Sequence, residues 1–121
     1  VHAVESDDQA CVTIRNNFEL VQRANPRGQF KLNHVSVNKY LSQPQTLKFD
    51  VIFLDPPYET GNEEVSAVIK LMHDNNFLKP DALAIVERAT KSDEFVWPAP
   101  LKAVKTRDYG TATFYFATYE M

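Results

Sequence analysis

Glycine is scarce in this chain: 121 residues hold only Gly28, Gly61 and Gly110, and no two of them are neighbours in sequence. A glycine-rich loop, in which bare backbone N–H groups closely approach a nucleotide-like cofactor, is therefore excluded from these residues. Cysteine is scarcer still. Cys11 alone excludes an internal disulfide and agrees with a reducing cytoplasm, and it falls on the apolar side of a predicted helix, where a thiol is core material. No run of roughly 18 apolar residues is present, which excludes a membrane-spanning helix, and there is neither a signal-type segment nor an internal repeat. His2, His34 and His73 sit on separate predicted elements without cysteine or paired-ligand spacing, so no metal site is expected. An excess of basic charge is lacking too: 13 Lys and Arg stand against 16 Asp and Glu, a net charge of −3. Phosphate binding needs clustered Lys and Arg, so either a segment outside these residues carries a basic surface or the substrate is not a polynucleotide.

What is present is apolar material for a core, 44% of the residues, enough for a single globular domain over 1–121. The most informative stretch is Phe49-Asp50-Val51-Ile52-Phe53-Leu54-Asp55-Pro56-Pro57-Tyr58. Val51 to Leu54 reads as a strand buried on both faces, as in a parallel sheet, and ligands of open α/β sheets bind beyond the carboxyl ends of such strands. Each proline fixes its own φ, lacks an N–H and biases the preceding residue toward extended backbone, so the loop is stiff.

Asp55 therefore stands where a substrate would. The exocyclic amine of a nucleobase is a poor nucleophile because its lone pair is delocalised into the ring. Two acceptors taking its hydrogens, the Asp55 carboxylate and the Pro56 carbonyl, would favour a pyramidal nitrogen and aim the lone pair at an electrophile. Tyr58 would stack on a base taken out of its helix, a contact worth roughly 1–3 kcal/mol in nucleic-acid binders. The same residues also suit a rigid strand-to-helix turn with an Asp cap and a core-edge Tyr.

On these residues the chain resembles the S-adenosylmethionine-dependent amino-methyltransferases, whose signature is (Asp/Asn/Ser)-Pro-Pro-(Tyr/Phe). Within that group Phe-Asp-Val-Ile-Phe-Leu-Asp-Pro-Pro-Tyr is most similar to the bacterial small-subunit ribosomal RNA guanine-N2 methyltransferase family. The resemblance implies a class I, Rossmann-like α/β methyltransferase sheet, S-adenosyl-L-methionine as cofactor, and Asp55, Pro56, Pro57 and Tyr58 as the catalytic residues.

The remainder of the chain agrees. Val1 to Glu5 reads as a short strand ending in an acid, followed by the good caps Ser6-Asp7-Asp8 and by Ala10, Cys11, Ile14, Phe18 and Val21 at helical spacing until Asn25-Pro26-Arg27-Gly28. Glu5 is either a charge favoured at a helix start or the acid that accepts hydrogen bonds from the cofactor ribose, and the resemblance implies the second. Phe30 to Val35 is a further strand. Ser36 stands where many relatives place an Asp against the cofactor adenine, with the backbone N–H of Val37 facing a ring nitrogen; an uncharged hydroxyl is the weaker acceptor there, and Ser36 also suits an ordinary turn.

Val65, Val68, Ile69, Met72 and Phe77 mark an amphipathic helix ending near Asn75-Asn76, Leu78-Lys79-Pro80-Asp81 reads as a turn, and Ala82 to Val86 as a buried strand that ends at Glu87-Arg88. Two last strands, about Leu101 to Arg107 and Thr111 to Tyr119, flank a turn at Tyr109-Gly110 and form a C-terminal antiparallel hairpin. Arg107-Asp108-Tyr109-Gly110 is similar to a turn that relatives hold near the substrate face, but a plain hairpin with a Gly at positive φ suits it better.

The chain begins at Val1 without an initiator Met, in what the resemblance makes the second strand. The expectation is a partial sheet: an N-terminally truncated catalytic domain without the first strand, which in the family lies between the strand ending at Glu5 and the one ending at Asp55. Those two strands would then either close on each other or offer edges for self-association. The implied function is cytoplasmic methylation of a guanine N2 in ribosomal RNA, free or in the small-subunit particle, with this fragment alone inactive. The alternatives are a DNA adenine or cytosine amino-methyltransferase, and a noncatalytic interaction domain with a degenerate methyltransferase fold.

Overall fold

The computed structural model describes residues 1–43 and 47–120. The chain divides into two compact units, Val1–Gln43 and Pro44–Met121. The first holds β1 (His2–Glu5), α1 (Asp8–Arg23), β2 (Lys31–His34) and α2 (Val37–Leu41). Strands β1 and β2 pair in parallel, with Glu5 opposite His34. A parallel pair needs a crossover, and α1 supplies it. The Asp7 carboxylate starts α1 by accepting the Ala10 N–H at 2.8 Å. Asn25, at φ +57°, and Pro26 end it. Cys11 is fully buried and Phe18 stacks on Phe30 at 4.5 Å. Val21, the last residue of the predicted apolar face, lies mostly in water because the two-stranded sheet is too small to cover it.

The second unit holds β3 (Phe49–Leu54), α3 (Asn62–Asp74), β4 (Leu78–Ala89), β5 (Leu101–Tyr109) and β6 (Ala112–Tyr119) in one sheet of order β3-β4-β6-β5. The pair β3/β4 is parallel, and the others are antiparallel. Ala82, Ala84, Val86 and Arg88 alternate on the buried face of β4, and Val65, Ile69 and Met72 on α3 with Phe77 beyond its end complete that core. The alternation of strand and helix and the C-terminal antiparallel hairpin are as expected. Among the described residues no helix is long and apolar enough to cross a membrane.

Four expectations are corrected. Leu78 to Asp81 is not a turn but the start of β4, interrupted by a register shift against β3 that Asp81, at φ +65°, accommodates. The hairpin turn lies at Gly110-Thr111 rather than Tyr109-Gly110, with Gly110 at φ +63° as the two-residue loop demands. Strand β4 also runs past Val86 to Ala89, since β6 goes on pairing with Glu87, Arg88 and Ala89. Finally, β3 is not buried on both faces: Val51 and Phe53 are 57% and 53% exposed, while Ile52 and Leu54 on the other face are half-buried. The register partners of Val51 and Phe53, Leu83 and Ile85, lie on the same face as they do and are half-buried. Strands β1 and β3 belong to different sheets.

Candidate active site

The second unit builds its site where β3 stops and β4 continues. Leu54 is the last residue of β3 and pairs with Val86, which brings Asp55 beside Glu87. Asp55 is exposed, and its carboxylate makes no hydrogen bond or ion pair among the described residues. The Pro57 carbonyl accepts the Thr60 N–H at 3.0 Å, closing a turn around Tyr58, while the Pro56 carbonyl has no backbone donor among the described residues. Tyr58 projects from this turn with 57% of its surface in water. Burial first, and the Asp55 charge second, push the Glu87 carboxyl above the usual carboxylate range. On the opposite face of β4, Arg88 is buried: its Nε donates to Asn62 Oδ1 at 3.1 Å and its Nη2 to the Thr60 carbonyl.

The first unit carries the residues expected at the cofactor. Glu5 ends β1, and its Oε2 accepts the N–H groups of Ser6 and Asp7 at 3.0 and 3.2 Å, leaving Oε1 free of protein donors among the described residues. Ser36 is the N-cap of α2, its Oγ accepting the Lys39 N–H at 3.2 Å. It lies two residues past His34, the register partner of Glu5, so Glu5 and Ser36 share the carboxyl end of one parallel pair. Val37 opens α2, where a backbone N–H has no partner within the helix. The site of each unit is thus assembled within that unit.

In the sequence alone, Glu87-Arg88 reads as a strand end with no role for either residue. The signal was there for Glu87, an acid at the end of a buried strand as Glu5 is. Its neighbour across the strand depends on the β3/β4 register, which the sequence does not display.

A family model described as Conserved hypothetical protein 95 matches residues 1–118. The chain belongs to that family. Ribosomal RNA small subunit methyltransferase D of Haemophilus influenzae is 30% identical over 112 residues, 92% of this chain and 55% of that protein, so the chain spans about half the length of this curated relative. A crystal structure from Haemophilus influenzae, described provisionally as a methylase, matches with a TM-score of 0.80 at 28% identity, over 100% of this chain and 73% of the other. A conserved hypothetical protein of Streptococcus pyogenes matches at 0.82 and 25% identity, over 98% and 71%. The resemblance carried by Asp55 to Tyr58 therefore holds at the level of family, and the fold of this family member is a partial class I methyltransferase sheet.

Proposed function

We propose that this chain holds the target amine and part of the cofactor site of an S-adenosylmethionine-dependent methyltransferase acting on a base in RNA, a guanine N2 of small-subunit ribosomal RNA. The observation that carries this reading is the open Asp55 carboxylate beside Glu87, on a loop stiffened by two prolines and followed by an exposed Tyr58. Guanine suits two neighbouring carboxylates, because its N1–H and N2–H₂ donors lie side by side. Adenine and cytosine instead set a ring acceptor next to the amine, which a second carboxylate would repel. The name of the Haemophilus influenzae relative supports ribosomal RNA as the substrate class. Activity on RNA goes with a cytoplasmic location.

The residues of the first unit fit the cofactor chemically. A carboxylate offers about four lone-pair sites, so Glu5 has capacity for a ribose hydroxyl beyond the two amides it already holds. Ser36 has one lone pair and its O–H left for adenine, beside the Val37 N–H. When bound, the cofactor supplies an electrophilic methyl group on a sulfonium sulfur. The chain's own part is positioning: Asp55 and the Pro56 carbonyl take the two amine hydrogens, Pro57 stiffens the loop, and Tyr58 stacks on the base. Orientation of this kind contributes about 7–11 kcal/mol in favourable cases.

The test gives the full-length protein a labelled methyl donor and either unmodified small-subunit ribosomal RNA or unmethylated DNA, with the product nucleoside identified after digestion. N2-methylguanosine is expected, and Asp55→Ala should lose turnover while cofactor affinity stays within about threefold. Methylated adenine or cytosine in DNA would move the assignment to a DNA amino-methyltransferase, and no transfer to any nucleic acid would leave a noncatalytic domain.

A further inference from the structure

Arg88 follows Ala82, Ala84 and Val86 on the buried face of β4 and is only 3% exposed. Arginine is almost never this buried unless paired with an acid. Among the described residues no carboxylate pairs with it. Its fork is held by neutral acceptors, the Asn62 side-chain oxygen and the Thr60 carbonyl, and its buried Nη1 has no hydrogen-bond partner among the described residues. An apolar side chain of similar volume would fill the space without that unsatisfied donor, so packing alone does not account for the residue.

The partners identify its work. Thr60 uses its N–H on the Pro57 carbonyl and its C=O on Arg88, so the turn containing Tyr58 is anchored through Thr60 to the sheet. Asn62 opens α3, and its Nδ2 donates to the carbonyls of Asp93 and Glu94 at 3.1 and 3.3 Å, tying in the connection between β4 and β5. One planar fork thus fixes two loops, a task for which the single-point ammonium of lysine is poorly shaped. We propose that Arg88 is the positioning residue of the methyl-transfer site: through Thr60 and Asn62 it sets the loop that presents Asp55 and Tyr58. The proposal rests on the methyl-transfer reading above, and it adds a residue that never touches the substrate.

In the full-length protein, Arg88→Met should lower kcat by at least about tenfold and raise KM for RNA, while KM for S-adenosylmethionine stays within about twofold. Hydrogen exchange at the Thr60 amide should accelerate. Arg88→Lys keeps the charge and one donor direction and should recover part of kcat. A packing role predicts the reverse order, with Met at least as active as Lys, and that order overturns the proposal, as does a folded Arg88→Met enzyme with wild-type kcat and RNA KM. If Arg88→Met does not fold, Asn62→Ala removes the Nε acceptor and leaves the cation in place; reduced kcat with faster Thr60 exchange supports the role, and no change in either overturns it. Wild-type protein that transfers no methyl to RNA would refute the proposed function instead, and exchange at Thr60 in the variants would still decide whether Arg88 holds the loop.

Discussion

At the end of β1 the Glu5 carboxylate bends back onto the amides of Ser6 and Asp7, whereas at the end of β3 the Asp55 carboxylate stays open. Both acids end a parallel strand, so strand geometry does not explain the difference. The next two residues do. After Glu5 come two residues whose N–H groups lie just ahead of α1, with no carbonyl to take them, and the nearest acid captures both. After Asp55 come Pro56 and Pro57, which have no N–H to offer. The prolines thus do more than stiffen the loop: they remove the local donors that would otherwise consume the carboxylate, and leave it open.

The largest effect should come from deleting the open acid. Asp55→Ala should cost turnover on the order of 10²- to 10³-fold, the scale of removing one preorganised hydrogen-bonding group, with cofactor affinity nearly unchanged. A steady-state assay paired with calorimetry reads both, and equal losses in both would mean that Asp55 serves the cofactor as Glu5 is proposed to. A smaller and more pointed effect is expected for Pro57→Ala, which restores an N–H two residues after Asp55, where Asp7 stands after Glu5. If Asp55 captures that amide as Glu5 captures its own, the substrate must compete with a charge-assisted bond worth about 1.5–3 kcal/mol, and kcat/KM should fall by roughly tenfold or more. A crystal structure of the variant with Asp55 still unbonded and activity intact would break the comparison.

Much of this arrangement was legible in the sequence, and the failures have physical causes. Helix α1 is legible because the cap at Asp7 and the stop at Asn25-Pro26 are local signals. The Pro80-Asp81 stretch was misread because proline and a following acid signal a turn locally, while the pairing of Leu78 with Phe49 that places them in a strand is long-range. The same holds at the site. Asp55 to Tyr58 announces itself as a contiguous motif, but Glu87 and Arg88 take their meaning from the register of β3 and β6 against β4 and from a helix start 26 residues away in sequence.

A change on the Glu5 side should be felt in stability rather than chemistry. Asp7→Ala removes the side-chain cap on the Ala10 N–H and should cost about 1 kcal/mol in urea unfolding of the full-length protein. The same change frees no acceptor at β3, so turnover at saturating cofactor should be unaltered. A loss of turnover without a loss of stability would show that the start of α1 takes part in chemistry, and the two strand ends would then differ less than their carboxylates suggest.

The smallest effect tests Glu87, which lies between the two cases: partly buried and beside an open acid. Its folded pKa is raised, by burial and then by Asp55, so the folded chain holds this proton more tightly than the unfolded chain. The stabilisation from that proton is complete below the unfolded glutamate pKa and is lost as pH rises through the folded one. Glu87→Gln is neutral throughout and escapes the loss. The variant should therefore unfold at a higher temperature than wild type near neutral pH, and the gap should close as pH falls below the ordinary glutamate range. Asp55→Asn should shrink the gap from the other side by removing one of the two causes, though not burial, the larger. A gap of opposite sign, with wild type the more stable at neutral pH, would mean that a donor compensates the Glu87 charge, and Glu87 would then belong with Glu5 as a carboxylate already satisfied by the protein.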